Sequence, residues 1–302
     1  MFRNAKVFRL EGGFALDQLQ LHEQLGARAF RPCGPLETAT LGWASPLGPN
    51  AETLAHQVGG CLLIAARRQE RLLPASVVAE AVAEKVAEIE QSESRDVGRR
   101  ERSRLREELL TEMLPRAFTR SRLLRAYVDP SAGWLVVDAS SDKLAEELVS
   151  LLRESLGSLP VKPLRATTAV DERLSAWVAS DAAPSGFDIE DQCELRDPGD
   201  SRGVVRCRGQ DLTSPEIKAH LDSGKRVVAL GLTWNERLSL VLGEDLSLKR
   251  LRFSDELVEE ALADESEDEQ ARQDAEFIIM SAELRTLLTA LSTEFAPTQD
   301  GA

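Results

Sequence analysis

The chain has 302 residues with 37 Lys+Arg, 51 Asp+Glu, a formal net charge of -14 and 42% hydrophobic residues. This length and composition predict a globular protein of one or two domains with a sizeable core. No stretch approaches the about 18 consecutive apolar residues of a membrane span. The first residues also lack a secretory signal, so we expect a cytoplasmic protein with no membrane partner.

The cysteines and histidines are too scattered to form a metal site. Cys33, Cys61, Cys193 and Cys207 include no CxxC pair. No histidine lies near them at ligand spacing, and His22, His56 and His220 are themselves isolated. We therefore expect no metal and no cofactor, with the cysteines serving as small buried residues.

Charge is unevenly distributed along the chain. Residues 251–302 contain fourteen acidic residues and three arginines, a formal charge of -11, whereas residues 95–125 contain ten arginines and five acidic residues, a formal charge of +5. An acidic protein can still bind a polyanion if its basic residues share one surface. The alternative is that 95–125 forms a solvated Arg/Glu helix face.

The first quarter of the chain predicts two strands, one helix and a long connection. Ala5–Leu10 is typical of a strand and Leu16–Leu25 of a helix. The proline- and glycine-rich stretch 32–49 indicates a winding connection rather than a helix. The apolar run Cys61–Ala66 predicts a buried strand that ends at Arg67.

Two amphipathic helices follow and predict a helical hairpin. Ser76 is the expected N-cap of the first helix, whose apolar stripe is Val78, Val82, Val86 and Ile89. A polar break at 91–98 precedes the second helix, whose stripe is Leu105, Leu109 and Met113 and which stops before Pro115. Such a pair inserted between strands would form an arm, 76–114, that projects from the body and exposes its arginines.

The chain then returns through a β-hairpin and a further helix. Leu124–Val128 and Trp134–Asp138 are the expected strands, joined by a turn at 129–133. Ser141 or Asp142 caps the helix, which Gly157 ends. Residues 160–168 predict a boundary between the two halves.

The second half begins with a helix and an antiparallel meander. Thr213–Glu216 fits a capping box, with Leu212 and Ile217 as a hydrophobic staple and Gly224 as the end of the helix. Alternating leucines then predict three strands, 230–234, 238–242 and 246–248. Helices at 254–263 and 272–292, separated by the acidic run 264–269, complete an α+β fold of antiparallel sheets with packed helices.

Motifs for catalysis are missing from the sequence. The segment Ser223–Arg226 does not fit a phosphate-binding loop, because the required glycine and hydroxyl positions are occupied by Ala219 and Arg226. The acidic run suggests a metal-dependent nuclease as one hypothesis, but contiguous acids repel one another and point outward. We therefore expect no catalytic residues and interpret the protein as a binding protein rather than an enzyme.

Six phrases of the sequence resemble the RdgC family of bacterial recombination-associated proteins, in order and over nearly the full length. They are 30–34, 66–74, 114–120, 156–160, 210–214 and 248–253. The resemblance implies a non-enzymatic, largely sequence-independent DNA-binding protein of the nucleoid that restrains the recombinase RecA. It also implies a ring-shaped homodimer, joined at a base and at the tips of two arms, with duplex DNA passing through a positively lined hole.

The resemblance divides the chain into a central domain of 1–75 and 115–165, the arm 76–114, and a base of 166–302. Binding would then rest on phosphate neutralisation. Period-two alternation in Val205–Arg208 places both arginines on the face opposite Val205 and Cys207. Some basic residues could instead pair with local acids. The candidate DNA contacts are Arg67, Arg68, Arg71, Arg116, Arg120, Arg206, Arg208, Gln210, Lys249, Arg250 and Arg252.

Two further residues are of interest, Phe118 for its position between arginines and Gly209 for its departure from the family pattern. Phe118 lies between arginines just after Pro115, and it is either a core anchor at the arm's root or an apolar contact that closes the ring. Gly209 occupies a position where family members commonly carry a second basic residue after Arg208. One expected phosphate contact is therefore missing.

A second function remains open from the same charges. The acidic C-terminal region could contact the recombinase directly, with DNA binding incidental to that protein–protein regulation. Deleting residues 264–269 would distinguish the two hypotheses.

Overall fold

The computed structural model describes residues 1–199, 203–262 and 269–296. Within them, one twelve-stranded antiparallel sheet holds the fold together. The predicted acidic run lies outside the described residues, except for its last member, Glu269.

The first five secondary-structure elements differ from the predicted ones in two places. They are β1 (Asn4–Leu10), α1 (Gln18–Gly26), β2 (Ala39–Ala44), β3 (Ala55–Val58) and β4 (Cys61–Leu72). The segment 32–49 was expected to be a winding connection, but it contains β2, which pairs with β4. The predicted end of β4 at Ala66 is also wrong, because β2 and a later strand provide hydrogen-bond partners for residues 67–72, five of which are polar.

The helical hairpin consists of α2 (Ala75–Glu93) and α3 (Arg99–Met113), followed by a 3-10 turn at Leu114–Arg116. The prediction that Ser76 caps α2 is wrong, because the helix begins directly after Pro74, whose carbonyl accepts from the amides of Val77 and Val78. The two helices pack side by side. Val78 and Val86 are buried, whereas α3 buries none of its side chains.

The chain then forms β5 (Phe118–Asp129), β6 (Trp134–Val137), α4 (Asp142–Leu156) and β7 (Val161–Pro163). Strand β5 begins six residues before the predicted Leu124, because it pairs with β4 along its whole length, from Leu72 opposite Phe118 to Leu62 opposite Val128. The Ser141 cap of α4 is confirmed, since its hydroxyl accepts from the Leu144 amide.

The second half opens with α5 (Val170–Ser180), β8 (Phe187–Arg196), β9 (Val204–Arg208) and α6 (Pro215–Asp222). The sequence did not predict α5 or β8. The capping box at Thr213 is wrong: Asp211 binds both the amide and the hydroxyl of Thr213, and Ser214 becomes the N-cap without a side-chain hydrogen bond. The staple residues Leu212 and Ile217 are buried as expected.

The terminal helices and the first two strands of the predicted meander are present, but the third predicted strand, 246–248, is wrong, because Leu246 lies in the turn with φ 56° and the strand begins only at Leu248. The observed elements are β10 (Arg226–Trp234), β11 (Leu238–Gly243), β12 (Leu248–Phe253), α7 (Asp255–Leu262) and α8 (Glu269–Glu294). None of the helices in the described ranges is long and apolar enough to span a membrane.

A single strand joins the two halves of the sheet. Asn4 and Ala5 of β1 pair with β12, whereas Lys6 to Arg9 of the same strand pair with β6. The strand order is β2-β4-β5-β6-β1-β12-β11-β10-β8-β9, with β3 on β4 and β7 on β1. The α+β prediction is confirmed, but the strands form one continuous sheet where separate sheets were expected.

Two apolar cores lie on opposite faces of this sheet. Side chains of α1 and α4, including Leu21 and Leu148, pack on the first half of the sheet from one face. Residues of α5, α6 and α8, including Leu174 and Leu287, form the other core, which extends under both halves. On β8 to β12, the face opposite this second core is therefore left for solvent.

The cysteines follow their prediction in three cases out of four. Cys61, Cys193 and Cys207 are buried, and all four are free. Cys33 is only half-buried, and its thiol donates to the Gln69 carbonyl at 3.3 Å.

Candidate nucleic-acid interface

The outermost strands of the sheet present arginines on the open face. In β9, Val205 and Cys207 point into the core, while Arg206 and Arg208 are exposed. The alternation predicted from the sequence is therefore confirmed. The core side chains fix the register of β9, and this register directs both guanidinium groups to one side.

A β-bulge brings two more cations to the same place. Lys249 and Arg250 are consecutive, so regular alternation would send them to opposite faces. The pairing of β11 with β12 shifts register between Ser239 and Val241, and Arg250 takes a left-handed conformation with φ 54°. Both residues consequently line one hollow, and Arg250 donates from Nη1 to Gln192 Oε1 at 2.8 Å.

We call this group the open-face cluster: Arg206, Arg208, Lys249 and Arg250. It surrounds a shallow hollow of about 150 Å³. Glu194 is the carboxylate in the lining of the hollow, so the cluster keeps a surplus of positive charge. Such a surface can bind an anionic backbone.

Glu194 is held as a carboxylate by its arginine neighbours. Arg206 Nε donates to it at 2.8 Å and Arg196 Nη2 at 3.2 Å. The hydrogen bond from Arg206 holds the pKa of Glu194 below its usual range. Because Arg206 is exposed, we expect the ion pair to be weak and the guanidinium to remain available to a phosphate.

A second basic group lies where the helical hairpin joins the sheet. On β4 and β5, Arg68 lies opposite Arg122 and Glu70 lies opposite Arg120, all on one face. With Lys143 and Glu147 of α4, these side chains line a pocket of about 180 Å³. We call it the arm-root pocket. It combines four cations with two carboxylates.

Both basic groups share one face of the continuous sheet. Asn4 of β1 lies opposite Lys249, and alternation along β1 places Lys6 and Phe8 on the same face as Asn4. The cross-strand partners of β1 with β6, of β6 with β5 and of β5 with β4 show that Arg122 and Arg68 lie on this same face. The sheet therefore places on one face cations that lie far apart in the sequence, with α1 and α4 packed on the strands between the two groups.

Of the three candidates near the helical hairpin, Arg67 and Arg71 have other side-chain contacts and Arg116 has none in the part of the chain that the structure describes. The Arg67 guanidinium lies over the Phe30 ring, 5.2 Å from its centroid. Arg71 donates to the carbonyl groups of Gly34, Pro115 and Ala117, which connects the end of β4 to the segment that follows α3. Arg116 is exposed on the 3-10 turn, with no ion pair among the described residues.

The remaining candidates lie at the margin of the open face. Arg252 is exposed opposite Ser239. Gln210 is exposed after the turn at Gly209, where its amide donates to the Asp191 carbonyl. Neither belongs to the lining of the hollow.

Phe118 is 85% exposed. The interpretation of this residue as a core anchor is therefore wrong. Its cross-strand neighbour Leu72 is also exposed, so the two form an apolar surface beside the arginines of β5. An exposed aromatic residue of this kind is typical of a contact with another molecule.

The sequence did not single out Arg122 and Lys143. A signal was available for Arg122, because residues 120 and 122 share one face of a strand. Lys143 had no such signal, since its place in the pocket depends on how α4 packs on the sheet.

Known proteins of one family are similar to this chain over almost its whole length. The sequence model of a family described as "Putative exonuclease, RdgC" matches residues 1–297. Relatives named "Recombination-associated protein RdgC" from Pseudomonas aeruginosa, Aeromonas hydrophila and Tolumonas auensis are 45%, 43% and 41% identical to the chain. Each alignment covers 96% of this chain and 95% or 96% of the relative.

Similarity over almost the whole length of both chains shows that this chain is one of the recombination-associated proteins. The chain belongs to the RdgC family. The family description includes the word exonuclease, whereas the names of these relatives state only an association with recombination. Across residues 1–199, 203–262 and 269–296, no three His, Cys, Asp or Glu side chains are grouped so that they could hold a metal ion.

Proposed function

We propose that this protein binds duplex DNA without sequence specificity, encircles it as a homodimer, and modulates or inhibits RecA-dependent recombination by occupying the DNA. The binding needs no cofactor. The protein would act in the nucleoid of the cytoplasm. The central domain of 1–75 and 115–165 would carry the arm 76–114, and residues 166–302 would form the base.

One observation carries this proposal. The open-face cluster and the arm-root pocket lie on one face of a single sheet, in a chain whose net charge is -14. An acidic protein that concentrates cations on one face can hold a polyanion there while its remaining surface stays negative. The basic side chains offer phosphate contacts, which do not depend on base sequence.

Exposed apolar side chains in and beside the helical hairpin support the proposed ring. Phe118 and Leu72 form an apolar surface at the arm's root. Leu105 and Leu109 of α3 remain half-exposed, because packing against α2 does not bury them completely. Contact between the arms of two subunits would bury such side chains and close a ring.

The proposal is tested by removing the charge of the open-face cluster. In Arg206→Gln/Arg208→Gln/Lys249→Gln, affinity for random-sequence duplex DNA should fall at every sequence tested. The slope of log K against log salt should fall by about 0.9 for each phosphate that the variant no longer neutralises. The control is Arg153→Gln/Lys218→Gln/Lys85→Gln, which removes the same charge elsewhere. Equal effects of the two triple variants would contradict the proposal.

The second candidate function is regulation by direct contact with the recombinase. The -11 charge of residues 251–302 favours it. Deleting residues 264–269 distinguishes the two, because the DNA-binding mechanism predicts unchanged inhibition of strand exchange. Loss of inhibition with DNA affinity intact would favour the regulator. Magnesium-dependent DNA cleavage would instead revive the nuclease hypothesis.

A further inference from the structure

The arm-root pocket contains two cations that have no carboxylate partner among the described residues. Arg68 forms a short ion pair with Glu147, and Arg120 Nη2 donates to Glu70 at 2.5 Å. These two pairs use the carboxylates that line the pocket. Arg122 and Lys143 remain, both exposed at its wall.

The register of the strands makes this arrangement costly without a further anion. Arg122 lies directly opposite Arg68 on the neighbouring strand. Like charges in directly opposed positions destabilise a sheet. Glu147 compensates Arg68 from α4, whereas Arg122 has only a longer-range attraction to Glu70, which is already paired with Arg120. An anion bound between Arg122 and Lys143 would remove this repulsion.

The volume of the pocket and its hydrogen-bond donors indicate which anion fits it. A volume of about 180 Å³ is below the range of about 300–1,000 Å³ typical of sites for drug-sized ligands. A guanidinium and an ammonium group offer several N–H donors and no acceptor, which suits the oxygens of a phosphate. The pocket thus fits one phosphate group rather than a whole nucleotide.

We propose that Arg122 and Lys143 hold one backbone phosphate of the bound DNA in the arm-root pocket. This inference rests on the proposed function and adds a second point of contact to it. The pocket lies on the same sheet face as the open-face cluster, on the other side of the strands that α1 and α4 cover. Both side chains are exposed, which leaves room for the strand to continue on either side of the phosphate.

The test is the double variant Arg122→Gln/Lys143→Gln in the full chain. We expect the slope of log K against log salt, measured with random-sequence duplex DNA, to fall by about 0.9, the value for one phosphate contact. The matched control Arg153→Gln/Lys218→Gln removes the same charge from the end of α4 and from α6, and should keep the full slope. A slope equal to that of the control would overturn the proposal.

Two further experiments separate the alternatives. Arg122→Lys keeps the charge and should retain the slope, which separates the loss of charge at position 122 from the loss of the arginine side chain. Sodium phosphate should weaken wild-type binding more than sodium chloride at equal ionic strength, because inorganic phosphate competes with the DNA for the pocket, and this difference should disappear in the double variant. Inorganic phosphate that binds the wild-type protein and not the double variant, with no selective effect on DNA binding, would assign the pocket to a free anion instead. If the wild-type protein does not bind DNA at all, the proposed function fails. If it binds but the double variant matches its control, only this inference fails.

Discussion

Arg206 and Glu194 lie directly opposite each other on β9 and β8, and the arginine Nε donates to the carboxylate at 2.8 Å. The same carboxylate also accepts from Arg196. Glu194 therefore competes with any phosphate for Arg206, and it places a negative charge within the proposed interface. The strength of DNA binding should depend on this one carboxylate.

Glu194→Gln is expected to tighten DNA binding. Two unit charges at 4 Å interact by about 1 kcal/mol in water, so the gain in affinity should be about fivefold or less. Because Arg206 lowers the pKa of Glu194, wild-type affinity should gain from its protonation only at pH values below the usual glutamate range. The variant should lack this component of the pH profile. Affinity titrations at several pH values check both points, and a loss of affinity in the variant would contradict the proposed competition.

Gly209→Lys is expected to restore the second basic residue of the family pattern. Gly209 has φ 64° and open space where a side chain would begin, so a lysine fits with a backbone cost of about 1–2 kcal/mol. The salt slope should rise by about 0.9. Gly209→Gln has the same backbone strain without the charge, and it serves as the control. Equal slopes in the two variants would show that position 209 lies away from the phosphates.

Phe118→Ala is expected to leave the fold intact and to weaken retention on DNA. The side chain is 85% exposed, so the free energy of unfolding should change by no more than about 0.5 kcal/mol. Leu124→Ala on the same strand removes a buried side chain and should cost about 2–5 kcal/mol. Denaturant unfolding and release from circular DNA give the two readouts. A stability loss for Phe118→Ala as large as that for Leu124→Ala would contradict the contact role.

Lys6→Met is expected to destabilise the junction between the two halves. Lys6 Nζ lies 2.7 Å from Asp142 at the start of α4 and 2.5 Å from Asp245 after β11. The aspartates are partly exposed, so the free energy of unfolding should fall by about 1–2 kcal/mol at pH 7. Lys218→Met, on the surface of α6, should have little effect.

The pH dependence of stability provides a second readout for Lys6. Burial opposes ionisation of Asp245, but its hydrogen bonds to Lys6 and Ser247 outweigh this and lower its pKa to about 2. This contribution is present above the unfolded pKa of about 3.9 and is lost as pH falls through about 2. The acid-induced loss of stability should therefore be smaller in Lys6→Met. An unchanged profile would contradict the assigned role of the Lys6–Asp245 pair.

Local sequence patterns predicted the elements that have one buried face. The alternating leucines of β10 and β11 and the stripe of α4 are examples, because core packing requires their spacing. The ends of β4 and β5 could not be predicted this way. Residues 67–72 and 118–123 are mostly polar or exposed, and cross-strand hydrogen bonds keep them extended.

The composition of the interface was only partly accessible to sequence reasoning. Alternation correctly oriented Arg206 and Arg208. The joint orientation of Lys249 and Arg250 depends on a bulge, and the arm-root pocket depends on the packing of α4 against β4 and β5. The capping predictions at Ser76 and Thr213 failed because Pro74 and Asp211 offered competing local structure.

The salt dependence of binding to linear and circular random-sequence duplex DNA, with the dimer state followed in parallel, tests the central proposal most directly. A ring that neutralises phosphates along the duplex predicts a log–log slope that corresponds to several phosphate contacts. It also predicts slower release from circles than from linear fragments, because a closed ring cannot slide off a circle. Negligible affinity at physiological salt would contradict the proposed DNA clamp and leave direct contact with the recombinase as the leading function.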